Sequence, residues 1–368
     1  MQINLLKLRY ILVLFALIIS FDACKTKSKQ DEFWTESNSP QRIGRMVINN
    51  LLSRSEIMMY NTVHLKTVHY AEACTGMGAV RLAYLLNDKL LIHQLENRYD
   101  KLIAHFDTLP SNHVDANVLG ILPLEFYIYD GNPENLRQGL AFADKQWENS
   151  MPNGLSNQTR FWIDDIYMIG SLQVQAYRAS GNKIYLQRAA LETDAYLQKL
   201  QQPNGLFFHG EHAPFYWGRG NGWVAVGLAE LISELPTDNE YYSSIRKGYE
   251  SMMQALLKFQ APDGMWRQLI DWEESWEESS ATAMFAFALK IGVDKGILQD
   301  ECFTFAYKKA WQALAGRIND EGALSGICVG TGQSTDIQYY LERPKTTGDL
   351  HGQAPVLWFA ASLLSENH

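Results

Sequence analysis

A short turn sequence recurs along the chain and constrains the fold more than any other feature. Each copy places Asn, Asp or Glu directly before Gly and a hydrophobic residue soon after it, and the copies return at intervals of roughly 50 to 60 residues. They are PNGL at 152–155 and 203–206, PDGM at 262–265, and a weaker NDEGAL at 319–324. Apolar residues between the copies follow a helical period. The repeating unit is therefore predicted to be a helical hairpin.

The number of hairpins predicts the architecture. Twelve helical segments after residue 40 make six hairpins, which predicts an all-α (α/α)6 barrel, a toroid with alternate helices on the inside. An open solenoid of the same hairpins is the alternative. Strand signals are confined to 206–208 and 265–270. The helices are expected near 40–60, 70–87, 89–107, 115–130, 133–150, 164–180, 182–201, 219–235, 239–260, 276–292, 298–316 and 349–366.

Composition limits the classes of protein to consider. The chain has 368 residues, 46 % of them hydrophobic, and no linker divides it after residue 40, so residues 40–368 are expected to form one domain. The net charge of -9 argues against a nucleic-acid partner. No HExxH or CxxC motif and no clustered histidines occur, so neither a metal nor another cofactor is expected.

The first residues have the features of an export signal. Lys7 and Arg9 precede an apolar stretch at 10–21 that is too short for a comfortable membrane span. The stretch ends in FDAC at 21–24, which resembles a loose bacterial lipoprotein cleavage site.

This pattern predicts a lipoprotein signal peptide at 1–23, lipidation of Cys24 and a polar tether at 24–39. The protein is then an exported bacterial lipoprotein, periplasmic or anchored to the outer membrane, that contacts the membrane through its lipid alone. An ordinary cleaved signal and a short uncleaved anchor are the alternatives.

The run FYWGRGNGW at 215–223 is the densest chemical signal in the chain. Faces of Trp and Tyr form sugar-binding platforms, and Arg219 can hold a carboxylate through two parallel hydrogen bonds. An acidic carbohydrate is therefore the first ligand to consider. A Trp-Arg cluster within the core is the alternative interpretation.

Chemically rich residues gather where the even-numbered helices begin. If these helices form the inner ring, their N-termini meet at one mouth, where free amide groups and aligned dipoles favour anions. Helix capping explains Asp115 or Ser279 alone. It does not explain the further aromatic and basic residues expected at the same mouth. The helix starts are 70–74, Asp115, Asp164, Arg219, Ser279 and 349–351, and the further residues are Trp162, Trp217, Trp223, Trp266, His209, Arg219 and His351.

Two segments carry a family resemblance. FWIDDIYM at 161–168 is similar to a WxDxLYM block, and WGRGNGW at 217–223 to a WxRGNGW block, of glycoside hydrolase family 105, the unsaturated rhamnogalacturonyl hydrolases. Family 88, the unsaturated glucuronyl hydrolases, is closely related. The resemblance covers most of the chain beyond residue 40. Supporting segments lie at 208–210, 263–266, 278–284, 330–332 and 348–352.

The resemblance implies roles for individual residues. Asp164 occupies the position of the general acid and base, and Asp115 that of the second family aspartate. Asp165 stands where the family usually has a small residue. Since adjacent residues of a helix face different directions, Asp165 is expected to bond to the backbone or to Arg160. The residues expected to bind substrate are His209, Trp217, Arg219, Trp223, Trp162 and His351.

The implied substrate is an acidic oligosaccharide that ends in a 4,5-unsaturated uronic acid, an enol ether left by a polysaccharide lyase. Protonated Asp164 donates a proton to C4, and its carboxylate then activates the water that adds at C5. The pKa of Asp164 must therefore lie well above the ordinary value. Asp115 and a bound uronate are expected to raise it, whereas Arg219 and the helix N-terminus lower it.

Three other functions remain open from the sequence. An inverting hydrolase of saturated glycans would need two carboxyl groups that flank the scissile bond, such as Asp115 with Asp164 or the Asp164-Asp165 pair. A sugar epimerase would use histidine bases, for which only His209 and His351 lie at helix starts. A binding lipoprotein without catalysis would keep its affinity after Asp164→Asn.

Overall fold

The computed structural model describes residues 33–61, 66–105 and 112–365. Within these residues no helix has the length and apolar character needed to span a bilayer. The predicted signal peptide and Cys24 lie outside them. Residues 33–39, the end of the predicted tether, include a turn of 3-10 helix at Glu36–Asn38. This segment contacts the barrel, because the indole of Trp311 donates to the carbonyl of Asn38 at 2.8 Å.

Helices account for most of the described chain, and two short antiparallel strand pairs accompany them. The strands are β1 (Met58–Asn61) with β2 (Lys66–Val68) and β3 (Ile327–Cys328) with β4 (Lys345–Thr346). In chain order, the helices are α1 (Pro40–Leu52), α2 (Tyr70–Leu85), α3 (Lys89–Ile103), α4 (Val114–Asn117), α5 (Ile121–Asp130), α6 (Pro133–Lys145), α7 (Asp165–Ser180), α8 (Lys183–Leu200), α9 (Gly218–Glu234), α10 (Tyr242–Phe259), α11 (Ser279–Asp294), α12 (Glu301–Ala315), α13 (Ile337–Leu341) and α14 (Leu350–Leu364).

The long helices form two concentric rings. The inner ring consists of α2, α5, α7, α9, α11 and α14, and the outer ring of α1, α3, α6, α8, α10 and α12. Each inner helix packs against the next, and α14 packs against α2, so the inner ring is closed. This closure confirms the predicted (α/α)6 barrel and rules out the open solenoid.

The two rings differ in sequence because they differ in burial. The outer helix α1 buries one stripe, formed by Ile43, Val47, Ile48 and Leu51 at helical spacing, and exposes its other face. The inner helix α11 is buried along nearly its whole length. From Ser279 to Leu289 it is accordingly apolar or small-polar on all sides, as expected of a helix surrounded by others.

The four predicted turns have one conformation in common. Their glycines all have a left-handed backbone, which other residues adopt only with strain. The φ angles are 86° at Gly154, 92° at Gly205, 100° at Gly264 and 76° at Gly322. Each turn packs on an outer helix of the next hairpin, and a Cβ at Gly322 would overlap the carbonyl of Met46 in α1. The fourth turn therefore joins the last hairpin to the first.

Two predicted helices differ from the structure by more than their end residues. The helix expected at 40–60 ends at Leu52, because the segment after it is rich in Ser and then in β-formers and pairs as β1 with β2. The helix expected at 115–130 is divided into α4, a 3-10 turn at Val118–Gly120 and α5. Pro123 explains the break, because its ring cannot follow a regular turn of helix and it lacks an N–H donor.

Candidate active site

Asp164 lies at the mouth of the barrel in the N-cap position of α7, yet its side chain accepts no capping hydrogen bond. Glu278 and Asp349, at the same position of α11 and α14, both cap their helices. The Asp164 carboxyl group is 18 % exposed. Capping therefore does not account for this aspartate, whose carboxyl group is available for chemistry.

The pKa of Asp164 is raised to about 7. Burial is the largest cause, followed by the charge of Asp165, while Arg219 and Arg160 lower it. Burial therefore outweighs the nearby cations. The like charge comes from Asp165, where the sequence suggested Asp115.

His209 is a buried neutral donor beside the acid. Its Nε2 lies 3.9 Å from Oδ2 of Asp164 and has no hydrogen-bond partner among the described residues. Burial, and then the charge of Arg219, lower the pKa of His209 to about 3, so the imidazole is uncharged at neutral pH.

Tyr340 determines which nitrogen of His209 holds the proton. The Tyr340 hydroxyl lies 2.8 Å from Nδ1 of His209 and 3.4 Å from the Ser334 carbonyl. The Ser334 N–H donates to the same hydroxyl at 3.1 Å. The shorter distance favours a hydrogen bond from the Tyr340 hydroxyl to Nδ1, and in that arrangement the hydrogen of His209 is on Nε2, facing Asp164.

Aromatic rings enclose this part of the mouth. The His209 ring packs against Trp217, with 4.5 Å between ring centroids, and meets Trp162 edge-on at 6.0 Å. Trp217 is 2 % exposed, whereas Trp162 is only partly buried. Of the two tryptophans, Trp162 offers the ring surface that a sugar could contact.

Arg219 differs from its predicted arrangement. Its guanidinium lies over the Trp217 ring at 4.9 Å and donates to the carbonyls of Cys328 and, at 2.8 Å, Val329. It is 1 % exposed. In this structure the side chain that was expected to grip a carboxylate instead holds β3 and the residue after it, and it affects Asp164 through its charge. The Trp-Arg core cluster therefore describes this pair better.

A second group joins the first and last inner helices. The Tyr70 hydroxyl lies 2.5 Å from Nε2 of His351, whose Nδ1 lies 2.6 Å from Asp349. Burial opposes the ionised form of Asp349, but the hydrogen bond and charge of His351 hold its pKa below the usual range. Burial, and then the charge of Asp115, raise the pKa of Tyr70 well above 10, so the phenol is neutral. His351 thus orients Tyr70.

Trp223 lies beneath the mouth. It is 1 % exposed and packs between Tyr167 and Trp358, with Tyr70 edge-on at 6.5 Å. The sequence predicted direct contact with substrate for Trp223. The structure places it within the barrel, where it supports the ring of Tyr70.

Asp115 lies on a separate wall, in the first turn of α4. His113 caps this helix by accepting from the Asp115 N–H at 3.2 Å, and its Nδ1 lies 3.7 Å from the Asp115 carboxylate. Asp115 is 38 % exposed at its side chain, and partial burial raises its pKa. The guanidinium of Arg160 reaches His113 at 3.2 Å and so connects this wall to the Asp164 segment.

The sequence placed Tyr70 at the mouth without a role, and it did not assign Tyr340, His113 or Arg160 to the site. Tyr340 lies in a segment for which no helix or strand was predicted, and it meets His209 across 131 positions. His113 could have been found, because it adjoins Asp115. Over the described ranges, no three His, Cys, Asp or Glu side chains are grouped as a metal site.

The family model of Glycosyl Hydrolase Family 88 matches residues 45–366. The chain belongs to this family. The match covers both aspartates and all the mouth residues described above. It confirms the resemblance to the related families 105 and 88.

Curated relatives are similar over part of their length. An unsaturated 3S-rhamnoglycuronyl hydrolase of Formosa agariphila is 34 % identical over 114 residues, 30 % of this chain and 30 % of that protein. The unsaturated rhamnogalacturonyl hydrolase YesR of Bacillus subtilis is 24 % identical over 211 residues, 55 % of this chain and 59 % of its own length. The chain thus spans about a third to three fifths of these relatives.

Solved structures share the whole fold. A possible member of family 105 from Salmonella enterica has a TM-score of 0.81 at 20 % identity, with 91 % of this chain and 96 % of that chain covered. An unsaturated glucuronyl hydrolase from Bacillus sp. GL1 has a TM-score of 0.67 at 15 % identity, with 89 % and 96 % covered. Both support the barrel assignment.

Proposed function

We propose that this protein is a glycoside hydrolase that removes a 4,5-unsaturated uronic acid from the nonreducing end of lyase-generated oligosaccharides. Family membership and the names of its relatives, which act on unsaturated rhamnoglycuronyl and rhamnogalacturonyl substrates, favour this activity. The observation that carries the proposal is the Asp164 carboxyl group, which keeps its proton up to about pH 7 at the mouth of the barrel.

The chemistry needs one such group. The Asp164 O–H bond breaks as a C4–H bond forms from the electrons of the C4=C5 double bond, which leaves an oxocarbenium-like cation at C5. The Asp164 carboxylate then takes a proton from water as its oxygen bonds to C5, and the acid is restored. The resulting hemiketal opens, and the glycosidic bond is lost without displacement at the anomeric carbon.

Neighbouring residues supply binding rather than proton transfer. The Nε2–H of neutral His209 can donate to a sugar or water oxygen held against Asp164, and the bond from Tyr340 keeps it in that state. The partly exposed ring of Trp162 can cover an apolar sugar face. Asp115 provides a second carboxylate on the neighbouring wall.

The test follows the ultraviolet absorbance of the conjugated double bond. Lyase products of rhamnogalacturonan, ulvan and glycosaminoglycans are mixed with the protein. Loss of the absorbance band of the double bond is measured for the wild type and for D164N. We expect the wild type to remove the band with at least one substrate and D164N to leave it. Cleavage of matched saturated oligosaccharides, with the absorbance of the unsaturated ones unchanged, would indicate a hydrolase of saturated glycans instead, and the anomer first released would show whether it inverts.

A further inference from the structure

Asp165, which directly follows the proposed acid, is buried completely and held by its own set of hydrogen bonds. Its carboxylate accepts from Arg160 Nε at 3.2 Å, from Arg160 Nη2 at 2.5 Å and from the Tyr196 hydroxyl at 2.8 Å. The backbone N–H of Arg160 also points to it at 3.3 Å. Asp165 thus turns away from the mouth, as expected from the sequence, and holds Arg160 in one orientation.

Arg160 transmits this orientation to both walls of the site. Its guanidinium lies over the Trp162 ring at 5.3 Å, and its Nη1 reaches Nε2 of His113 at 3.2 Å. His113 in turn caps α4 and faces Asp115. Arg160, which Asp165 holds in place, therefore contacts Trp162, near Asp164, and His113, which faces Asp115.

The backbone between Arg160 and Asp164 depends on the same support. Phe161 has a φ of 55°, an uncommon left-handed conformation for a bulky residue. Its N–H donates to the Tyr196 hydroxyl at 3.0 Å, and that hydroxyl is itself bonded to Asp165. The turn at Phe161 directs Trp162 and Asp164 into the mouth, so its anchor contributes to their placement.

We propose that Asp165 is a positioning residue that sets the geometry of both aspartates of the site through Arg160 and the turn at Phe161. The proposal rests on the proposed function in taking Asp164 as the acid. It gives a role to the position at which this chain departs from the small residue usual in the related family.

The charges of the pair support the proposal. After burial, which is the main cause for both aspartates, the charge of Asp165 raises the pKa of Asp164 and of Asp115, whereas Arg160 lowers both. The other groups that face them are neutral His209, 3.9 Å from Asp164, Arg219 on α9, which lowers the pKa of Asp164, and His113 and His351, which lower that of Asp115. Changing one member of the Asp165-Arg160 pair should therefore shift the pKa of Asp164 in a predictable direction.

The test compares D165N with R160Q, using the pH profile of kcat/KM on an unsaturated oligosaccharide. In the wild type, activity should fall on the alkaline side as Asp164 loses its proton. D165N removes a negative charge that raises the pKa of Asp164, so it should move this alkaline limb of the pH profile to lower pH by about one unit. R160Q removes a positive charge that lowers the same pKa, so it should move the limb to higher pH. Both variants should also raise KM, because Trp162 and His113 lose their support.

Glu192 provides a matched control. It is buried on α8 and holds the same loop by accepting from the Ser156 N–H at 3.1 Å and from the Thr159 hydroxyl at 2.5 Å. It is not among the main charges that act on Asp164. E192Q should therefore leave the alkaline limb in place even where it lowers the melting temperature.

Two outcomes overturn the proposal. Either the alkaline limb stays where it is in D165N and R160Q, as in E192Q, or both variants shift it in the same direction. If D165N does not fold, the comparison of R160Q with E192Q decides alone. A carboxyl carbon-13 NMR titration of Asp164 in the free protein measures the same shifts without substrate. A wild type that titrates as expected but never consumes the double bond would overturn the proposed function and leave the role of Asp165 intact.

Discussion

Replacement of Asp164 by Asn should stabilise the protein while it abolishes turnover. In the folded protein the pKa of this carboxyl group is raised from 3.8 to about 7. The native state therefore binds a proton more tightly than the unfolded state does, and stability falls as pH rises between these two values. An Asn side chain cannot ionise, so D164N escapes this loss.

The size of the effect follows from the shift. A rise of about three pKa units at 1.36 kcal/mol per unit disfavours the folded ionised form by about 4 kcal/mol. Because Asp164 is mostly protonated in the folded protein at pH 5, the loss of stability is about 2 kcal/mol at that pH. At pH 8, where the group is ionised in both states, nearly the full loss applies. For a chain of 368 residues, the difference in melting temperature between D164N and wild type should grow from about 2 °C at pH 5 to about 5 °C at pH 8.

Calorimetric melts of both proteins from pH 5 to pH 8 measure this difference. Other groups that titrate in the range, such as buried Glu192 with a pKa of about 7, are present in both proteins and cancel. D115N serves as the control and should show a weaker trend, because Asp115 is 38 % exposed. A difference that stays constant with pH, or D164N melting below wild type at pH 8, would refute burial as the origin of the raised pKa.

Two further predictions concern the support of the site and the closure of the ring. Y340F should lower kcat by at least about tenfold, because it leaves Nδ1 of His209 buried without a partner and no longer holds the imidazole proton on Nε2. Steady-state kinetics measure this effect. An unchanged kcat would contradict the role given to Tyr340. G322A should lower stability by about 1 to 3 kcal/mol, since a Cβ there meets the Met46 backbone at a positive φ. Urea melts measure it, and G181A is a matched control, because Gly181 also has a positive φ but no neighbour within 4 Å.

The fold was predictable from the sequence because its signals are local and repeated. A left-handed turn selects Gly, so the four turn glycines mark the hairpins directly. Pro123 also marks the break before α5, although the apolar pattern of that segment favoured one continuous helix. By contrast, the extended segment after Leu52 shows how a mixed run of Met, Tyr and Val is ambiguous between helix and strand.

The site was only partly predictable because its pairings are distant. The resemblance gave Asp164 acid-base chemistry and His209 and His351 substrate binding, yet the partners of the two histidines are 131 and 281 positions away. Nothing in a single sequence connects Tyr340 with His209. The same limit applies to Arg219, whose chemistry suited a carboxylate but whose donors bind the carbonyls of residues 328 and 329.

The bond between Tyr70 and His351 joins the two ends of the barrel, since Tyr70 begins the first inner helix and His351 lies in the first turn of the last. A chain still on the ribosome, or one clipped before α14, lacks the imidazole that orients this phenol and the Trp358 ring that packs beneath the mouth. Such a fragment therefore lacks part of the site. Activity should therefore appear only after the final helix has docked, as a single late event in the maturation of the enzyme.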